Sequence, residues 1–204
     1  MKPVKKIGVL ISGSGTTLQC IIDNIKNGVL NAEIAIVISS SESAYGIKRA
    51  EQAGIPVMVV AIGAQAPIIY STDIYNALKK HKVDLVVMAG FIKKYLPPAL
   101  DLPTINMHPA LLPSFGGKGM YGRHVHQAVK NYGCKISGCT VHFVTEEYDA
   151  GPVIAQEVIP VSHADSAEDI ERNVQALEKK VLIKVLQKFT EGKISLDQRI
   201  VSVL

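Results

Sequence analysis

Apolar residues run through the first half of this chain in short unbroken stretches, and between the stretches they return at every third or fourth position. Lys6-Ile-Gly-Val-Leu-Ile-Ser12 is one such stretch. Leu18, Ile21, Ile22 and Ile25 follow it at helical spacing, and Gly28 stands where a helix terminator belongs. An apolar run without polar alternation predicts a strand buried on both faces, the kind found in parallel sheets. Glu33 to Ser39, Ile55 to Val60 and Val83 to Gly90 read as further strands, with helices at Tyr45 to Ala53, closed by Gly54, and at Ser71 to His81. Four βα units in succession predict an α/β fold with a doubly wound, mostly parallel, Rossmann-like sheet, whose ligands gather at the carboxyl ends of the strands. Gly13, Gly90 and Asn106 fall at such ends.

The second half is patterned differently. Thr104 to Pro113 reads as extended, because Pro109 disfavours a helical His108. Leu112 to Gly122, rich in Gly and Pro, predicts a loop, and Arg123 to Lys130 a short helix. Gly138 to Val144 alternates like a half-exposed strand, and Val153 to Val161 makes another, joined by a loop from Thr145 to Pro152 that carries Asp149. A long C-terminal helix spans about Ala167 to Gly192, with Ile170, Val174, Leu177, Val181, Val185 and Phe189 on its apolar face. Residues 193–204 read as a short tail that could lie against the domain.

Length and composition narrow the class. At 204 residues, 48% hydrophobic and 20% charged, the chain suits one well-buried domain over residues 1–204, with an N-terminal half of about 1–100 and a second half of about 101–192. No stretch reaches the roughly 18 consecutive apolar residues that a membrane helix needs, and the basic N-terminus leads into a strand rather than an apolar leader. The expected location is the cytoplasm. Cys20, Cys134 and Cys139 are too few and too irregular for a disulfide framework or a C-x-x-C zinc site. The 22 basic and 18 acidic residues leave a net charge of +4 without a basic run interleaved with aromatics. Small-molecule partners are expected, with neither nucleic acid nor membrane, in a monomer or homodimer.

Three polar side chains concentrate the chemistry. Asn106 and His108 are two apart, so an extended backbone turns both to the same side. The carboxylate of Asp149 could orient the imidazole and raise its pKa. Near the N-terminus, Gly13-Ser-Gly-Thr-Thr17 joins a strand to a helix and offers backbone N–H groups with the hydroxyls of Ser14, Thr16 and Thr17, a setting suited to phosphate. Leu18 stands where a complete G-x-G-x-x-G would have its third glycine, so the turn alone is also readable as a tight turn and nothing more. His142, on an alternating strand, reads as structural or as a residue that orients a ligand. His124 and His126 diverge by about 200° on a helix and do not form a metal pair. His81 and His163 read as surface residues, and neither Cys20 nor Cys139 has the setting of a nucleophile.

The runs Ile11-Ser-Gly-Ser-Gly-Thr-Thr-Leu-Gln19, Met88-Ala-Gly-Phe91, Asn106-Met-His-Pro-Ala-Leu-Leu-Pro113, Gly138-Cys-Thr-Val-His-Phe-Val144 and Asp149-Ala-Gly-Pro-Val-Ile154 resemble the phosphoribosylglycinamide formyltransferase family. The resemblance covers residues 6 to about 192. It implies formyl transfer from 10-formyltetrahydrofolate, as cosubstrate, to the amine of 5-phosphoribosylglycinamide in purine biosynthesis, by direct attack and with no metal. By position it makes Asn106 the oxyanion donor, His108 the general acid and proton carrier, and Asp149 the group that holds the imidazole. It puts the substrate phosphate on Gly13, Gly15, Thr16 and Thr17, and the glycinamide end on Asn106 and Glu178. The folate falls near Met88, Gly90, Ile92, Lys93, Lys94 and Tyr95 and on Thr145, Glu146, Glu147, Tyr148 and Asp149.

The chain also departs from that pattern. Gly15-Thr-Thr17 lacks the asparagine usual in the family's turn, and Pro67 stands where a phosphate-binding arginine is common, in a segment Ala61 to Tyr70 without a basic residue. Lys118, Arg123 or another lysine could replace it. The Gly116 to Gly122 loop is longer than in the shortest family members, and Lys179 follows Glu178 where histidine is frequent. Three alternatives share parts of the pattern: a formyltetrahydrofolate hydrolase, expected to carry an additional N-terminal regulatory domain; a methionyl-tRNA formyltransferase, expected to need more than the 12 residues after the last helix; and a non-catalytic nucleotide-binding relative.

Overall fold

Strand β1 (Lys5–Ile11) runs through the middle of the first half, and its last five residues are all buried. In this computed structural model, which describes residues 4–60, 63, 65–97 and 101–204, β1 pairs in parallel with β2 (Ala32–Ser39) on one side and β4 (Leu85–Met88) on the other. Residues 1–3 of the basic N-terminus, and residues 61, 62 and 64 of the stretch without a basic side chain, lie outside the described residues. The strands belong to a seven-stranded sheet of order β3-β2-β1-β4-β5-β6-β7. Continuous Val/Ile/Leu runs form the parallel part because helices cover both faces of such strands. Two compact units divide the chain, residues through Ile105 and residues from Asn106.

In the first unit α1 (Thr16–Lys26) and α2 (Tyr45–Gln52) follow β1 and β2 as expected, and Gly28 and Gly54 end them in the left-handed conformation. Gly8 lets α3 (Pro67–Lys80) approach the sheet, since a Cβ at position 8 would lie 2.3 Å from Leu78 Cδ2. Helix α3 starts four residues before the expected Ser71. Pro67 suits the first helical position, while Ile68 and Ile69 point outward at 51% and 52% exposure and so break the apolar rhythm that marks a helix in sequence. Strand β3 (Val57–Val59) is half its expected length. Among the described residues no helix lies between β4 and β5, so three βα units rather than four follow one another. The 89–97 segment is instead held by side chains of α3: the Tyr70 hydroxyl donates to the Lys94 carbonyl, and Ser71 Oγ accepts from the Leu96 N–H at 3.0 Å.

Strand β5 (Thr104–His108) leads into the second unit, which continues with α4 (Arg123–Tyr132), β6 (Ile136–Phe143), β7 (Val153–Pro160) and α5 (Ala167–Thr190). Strands β6 and β7 form an antiparallel pair in which Gly138 faces Val158, and a Cβ at 138 would strike the Glu157 carbonyl at 2.1 Å. The expected half-exposed strand is buried from Ser137 to His142, because α5 packs against it and Leu111 lies over Gly138; the in-and-out alternation appears on β7 instead. Ser166 caps α5 by accepting from Asp169 N at 3.1 Å, while Asp169 Oδ2 accepts from Ser166 N at 2.9 Å. The tail is an ordered hairpin, β8 (Ile194–Asp197) and β9 (Ile200–Val203), with β9 against β7.

Candidate functional site

Asn106 and His108 sit on β5 as the two-residue spacing requires, and the second unit brings Asp149 and His142 to them. His108 is 3% exposed. Its Nε2 lies 2.8 Å from the Phe115 carbonyl, which can only accept, so Nε2 carries the proton of the neutral ring and Nδ1 bears the lone pair. Nδ1 is 3.5 Å from Asp149 Oδ2. Burial pushes the His108 pKa below its ordinary value, against the Asp149 charge and the Phe115 carbonyl, which raise it; His142 adds a smaller lowering.

Asp149 lies between two imidazoles, with Oδ1 3.6 Å from His142 Nε2, and Oδ2 also accepts from the Gly117 N–H at 2.9 Å. Burial would raise its carboxyl; His142, the Gly117 amide and, whenever that ring gains a second proton, His108 hold it below the usual range. Its φ of 53° is left-handed, and two residues on Gly151 is obligatory, because a Cβ there would lie 1.7 Å from the Phe143 carbonyl.

His142, read from sequence as structural or ligand-orienting, belongs to this cluster. Its Nδ1–H donates to the Phe143 carbonyl at 2.8 Å, which leaves Nε2 to accept from Asn106 Nδ2 at 3.3 Å. One N–H of the Asn106 amide is thereby fixed and the second stays available. The segment after β5 is pinned by buried Thr140, whose Oγ1 donates to the Ala110 carbonyl at 2.7 Å and accepts from the Leu112 N–H at 3.1 Å. Gln156 Nε2 bonds both Thr140 Oγ1 and the Leu112 carbonyl. Neither Thr140 nor Gln156 had a chemical signature in sequence; what marks them is that polar atoms are buried on strands and demand partners.

Glu178 is half-buried on α5. Burial pushes its carboxyl up to about 8, opposed by Lys179 and reinforced by Glu171. Thr145, Glu146, Glu147 and Tyr148 form an exposed loop leading to Asp149. Arg123, one suggested phosphate cation, is paired with Glu168, and Lys118 is exposed on its loop.

In the first unit the Gly13 to Thr17 turn is built as the glycines predict. Gly15 caps α1 at φ 69°, where a Cβ would lie 2.6 Å from Gly46 Cα. The cap has no side chain and the first turn no acidic residue, so the leading N–H groups of α1 are left for an anion. Arg49 of α2, absent from the sequence reading, braces this turn: Nε donates to the Ser14 carbonyl at 2.9 Å and Nη1 to Gln19 Oε1 at 3.1 Å. Met88 closes β4 and Gly90 turns the chain at φ 76°. Ile92 is 64% exposed while its N–H donates to Ser12 Oγ at 3.0 Å; Lys93 is exposed and Lys94 half-buried. Tyr95 is buried, which raises its phenol pKa, with a further rise from Tyr75. Among the described residues no three His, Cys, Asp or Glu side chains are grouped to hold a metal, and no helix is long and apolar enough to cross a membrane.

Known proteins share the sequence and the fold of this chain. The Formyl transferase family matches residues 5–186. Phosphoribosylglycinamide formyltransferase of Haemophilus influenzae is 37% identical over 201 residues, 97% of this chain and 92% of its own length. The solved glycinamide ribonucleotide transformylase 1 of Symbiobacterium toebii is 36% identical with a TM-score of 0.91, over 98% of this chain and 94% of that one. A formyltetrahydrofolate deformylase from Pseudomonas syringae also superposes, at TM-score 0.87 and 28% identity, over 99% of this chain but 66% of that one. The chain spans 62% of the chloroplastic phosphoribosylglycinamide formyltransferase of Vigna unguiculata and 19% of the bovine trifunctional purine biosynthetic protein adenosine-3. Matched over most of its length, and to bacterial relatives along most of theirs, the chain belongs to the phosphoribosylglycinamide formyltransferases of the formyl transferase family.

Proposed function

We propose that this protein transfers the formyl group of 10-formyltetrahydrofolate to the amine of 5-phosphoribosylglycinamide, a step of purine biosynthesis, with Asn106, His108 and Asp149 carrying the chemistry. The observation that supports this most is the placement of the Asp149 carboxylate 3.5 Å from the unprotonated Nδ1 of a His108 whose Nε2 meets the Phe115 carbonyl. Attack of an amine on a formyl carbon needs a donor for the oxygen that gains charge and a base for the proton that the amine loses. The free N–H of Asn106 is that donor, its partner N–H held by His142 Nε2. His108 Nδ1 takes the amine proton. The imidazolium so formed has an acceptor at each nitrogen, Phe115 O and Asp149 Oδ2, and then returns the proton to the departing N10.

The N–H groups at the start of α1, with Gly13, Gly15, Thr16 and Thr17, hold the substrate phosphate, and Glu178 receives the glycinamide end. The residues 88–95 and 145–149 take the folate. The test is formyl transfer measured with phosphoribosylglycinamide, water and charged initiator tRNA as competing acceptors. Phosphoribosylglycinamide is expected to be preferred. Release of formate at an undiminished rate without it would make the protein a hydrolase, and inactivity of folded protein with every acceptor would remove the enzymatic reading.

A further inference from the structure

Two main-chain atoms of the loop after Pro113 touch the reactive pair: the Phe115 carbonyl meets His108 Nε2 and the Gly117 N–H meets Asp149 Oδ2. The second contact falls on the same oxygen that faces His108 Nδ1. A carboxylate attached to a loop can rotate about its side-chain bonds, and a main-chain N–H that claims one oxygen removes that freedom. Gly116 makes this approach possible. A Cβ there would lie 2.6 Å from Leu112 Cδ2 and 3.3 Å from Asp149 Cβ, so a side chain at position 116 would press directly on Asp149 and on the end of Leu112. Phe115 holds a positive φ of 54°, a conformation that costs a residue with a side chain, while Gly117 takes φ 96°, which glycine adopts freely. The loop is anchored behind by the edge-on contact of the Phe115 and Tyr132 rings, 6.0 Å between centroids.

We infer that Gly116 and Gly117 are positioning residues for the reaction: position 116 lets the loop close, and the Gly117 amide holds the Asp149 carboxylate against His108 Nδ1. This rests on the reading of His108 and Asp149 given above. The loop therefore acts through Asp149, and its contribution should vanish when Asp149 no longer bears a charge.

The experiment is a mutant cycle of Gly116→Ala and Asp149→Asn, read as kcat and KM for both substrates. Gly116→Ala alone is expected to lower kcat by about 10²-fold, the scale of a 1 Å misplacement, with each KM within about threefold. In the Asp149→Asn background the same change should alter kcat by less than about twofold. A full additional loss in that background, or an unchanged kcat in the single variant, would overturn the inference. If Asp149→Asn itself leaves kcat unchanged, the reading of the reactive pair fails instead. Gly117→Ala serves if Gly116→Ala does not fold: its methyl meets open space, yet φ 96° disfavours any L side chain and the amide must tilt. It is expected to show the same non-additivity with Asp149→Asn, and additivity would count against the loop.

Discussion

The turn at Gly13 to Thr17 and the cluster around Asp149 both prepare a place for charge, with opposite materials. In the first unit the proposed anion site consists of main-chain N–H donors at the start of α1, with Gly15 and two threonines around them. In the second unit the working groups are side chains, and their partners, Phe115 O, Phe143 O and Gly117 N, are main-chain atoms. A site made of backbone tolerates changes in nearby side chains as long as the turn keeps its dihedrals. A site made of side chains held by backbone depends on loops whose residue identities carry little of the chemistry.

Substitutions can set the two against each other. His108→Ala should lower turnover by about 10² to 10⁴-fold while folate affinity, measured by fluorescence titration, is kept; equal loss of both would make His108 structural. Asp149→Asn should lower turnover by about 10²-fold and also move the acid limb of the kcat profile. The working form of His108 is neutral, so activity falls as pH drops through its pKa, which burial keeps below 6.5. The Asp149 charge raises that pKa, so its removal should shift the limb to lower pH, and a shift upward would contradict the assigned pairing. In the turn, Gly15→Ala must adopt φ 69° against Gly46. It should raise KM for phosphoribosylglycinamide about tenfold, with KM for folate and kcat nearly unchanged. Arg49→Gln should raise the same KM roughly threefold, as expected for loss of a single brace. Ser166→Ala, remote from both, should lower Tm by about 2–4 °C and leave every kinetic constant alone, which makes it the control.

How much of this could be read from sequence follows the same division. The β1 turn was legible because Gly13 and Gly15 are the residues that such dihedrals and close approaches demand. Asn106, His108 and Asp149 stood out because an amide, an imidazole and a carboxylate are the residue types that an acyl transfer calls for. Arg49 was not, since an arginine in a helix facing solvent and one folded back on a carbonyl look alike in sequence. Helix α3 was recognised late because its first turn presents Ile68 and Ile69 outward. The half-exposed strand expected at Gly138 to Val144 is buried as far as His142 because α5 covers it, and a strand's alternation cannot announce what will pack upon it. The 193–204 tail did not reveal its hairpin because the turn between its two short strands is Gln198-Arg199, without the Gly or Asn that usually marks one.

The carbonyls of Phe115 and Phe143 fix opposite tautomers on the two rings that flank Asp149: His108 carries its proton on Nε2 and His142 on Nδ1. In nitrogen-15 NMR spectra such rings exchange the chemical shifts of their pyrrole-type and pyridine-type nitrogens. One spectrum of uniformly labelled protein thus separates them without a substitution. As acid is added, the His108 pattern should be seen to collapse when its Nδ1 gains a proton, giving the protein a built-in reporter of the proton transfer proposed for that ring.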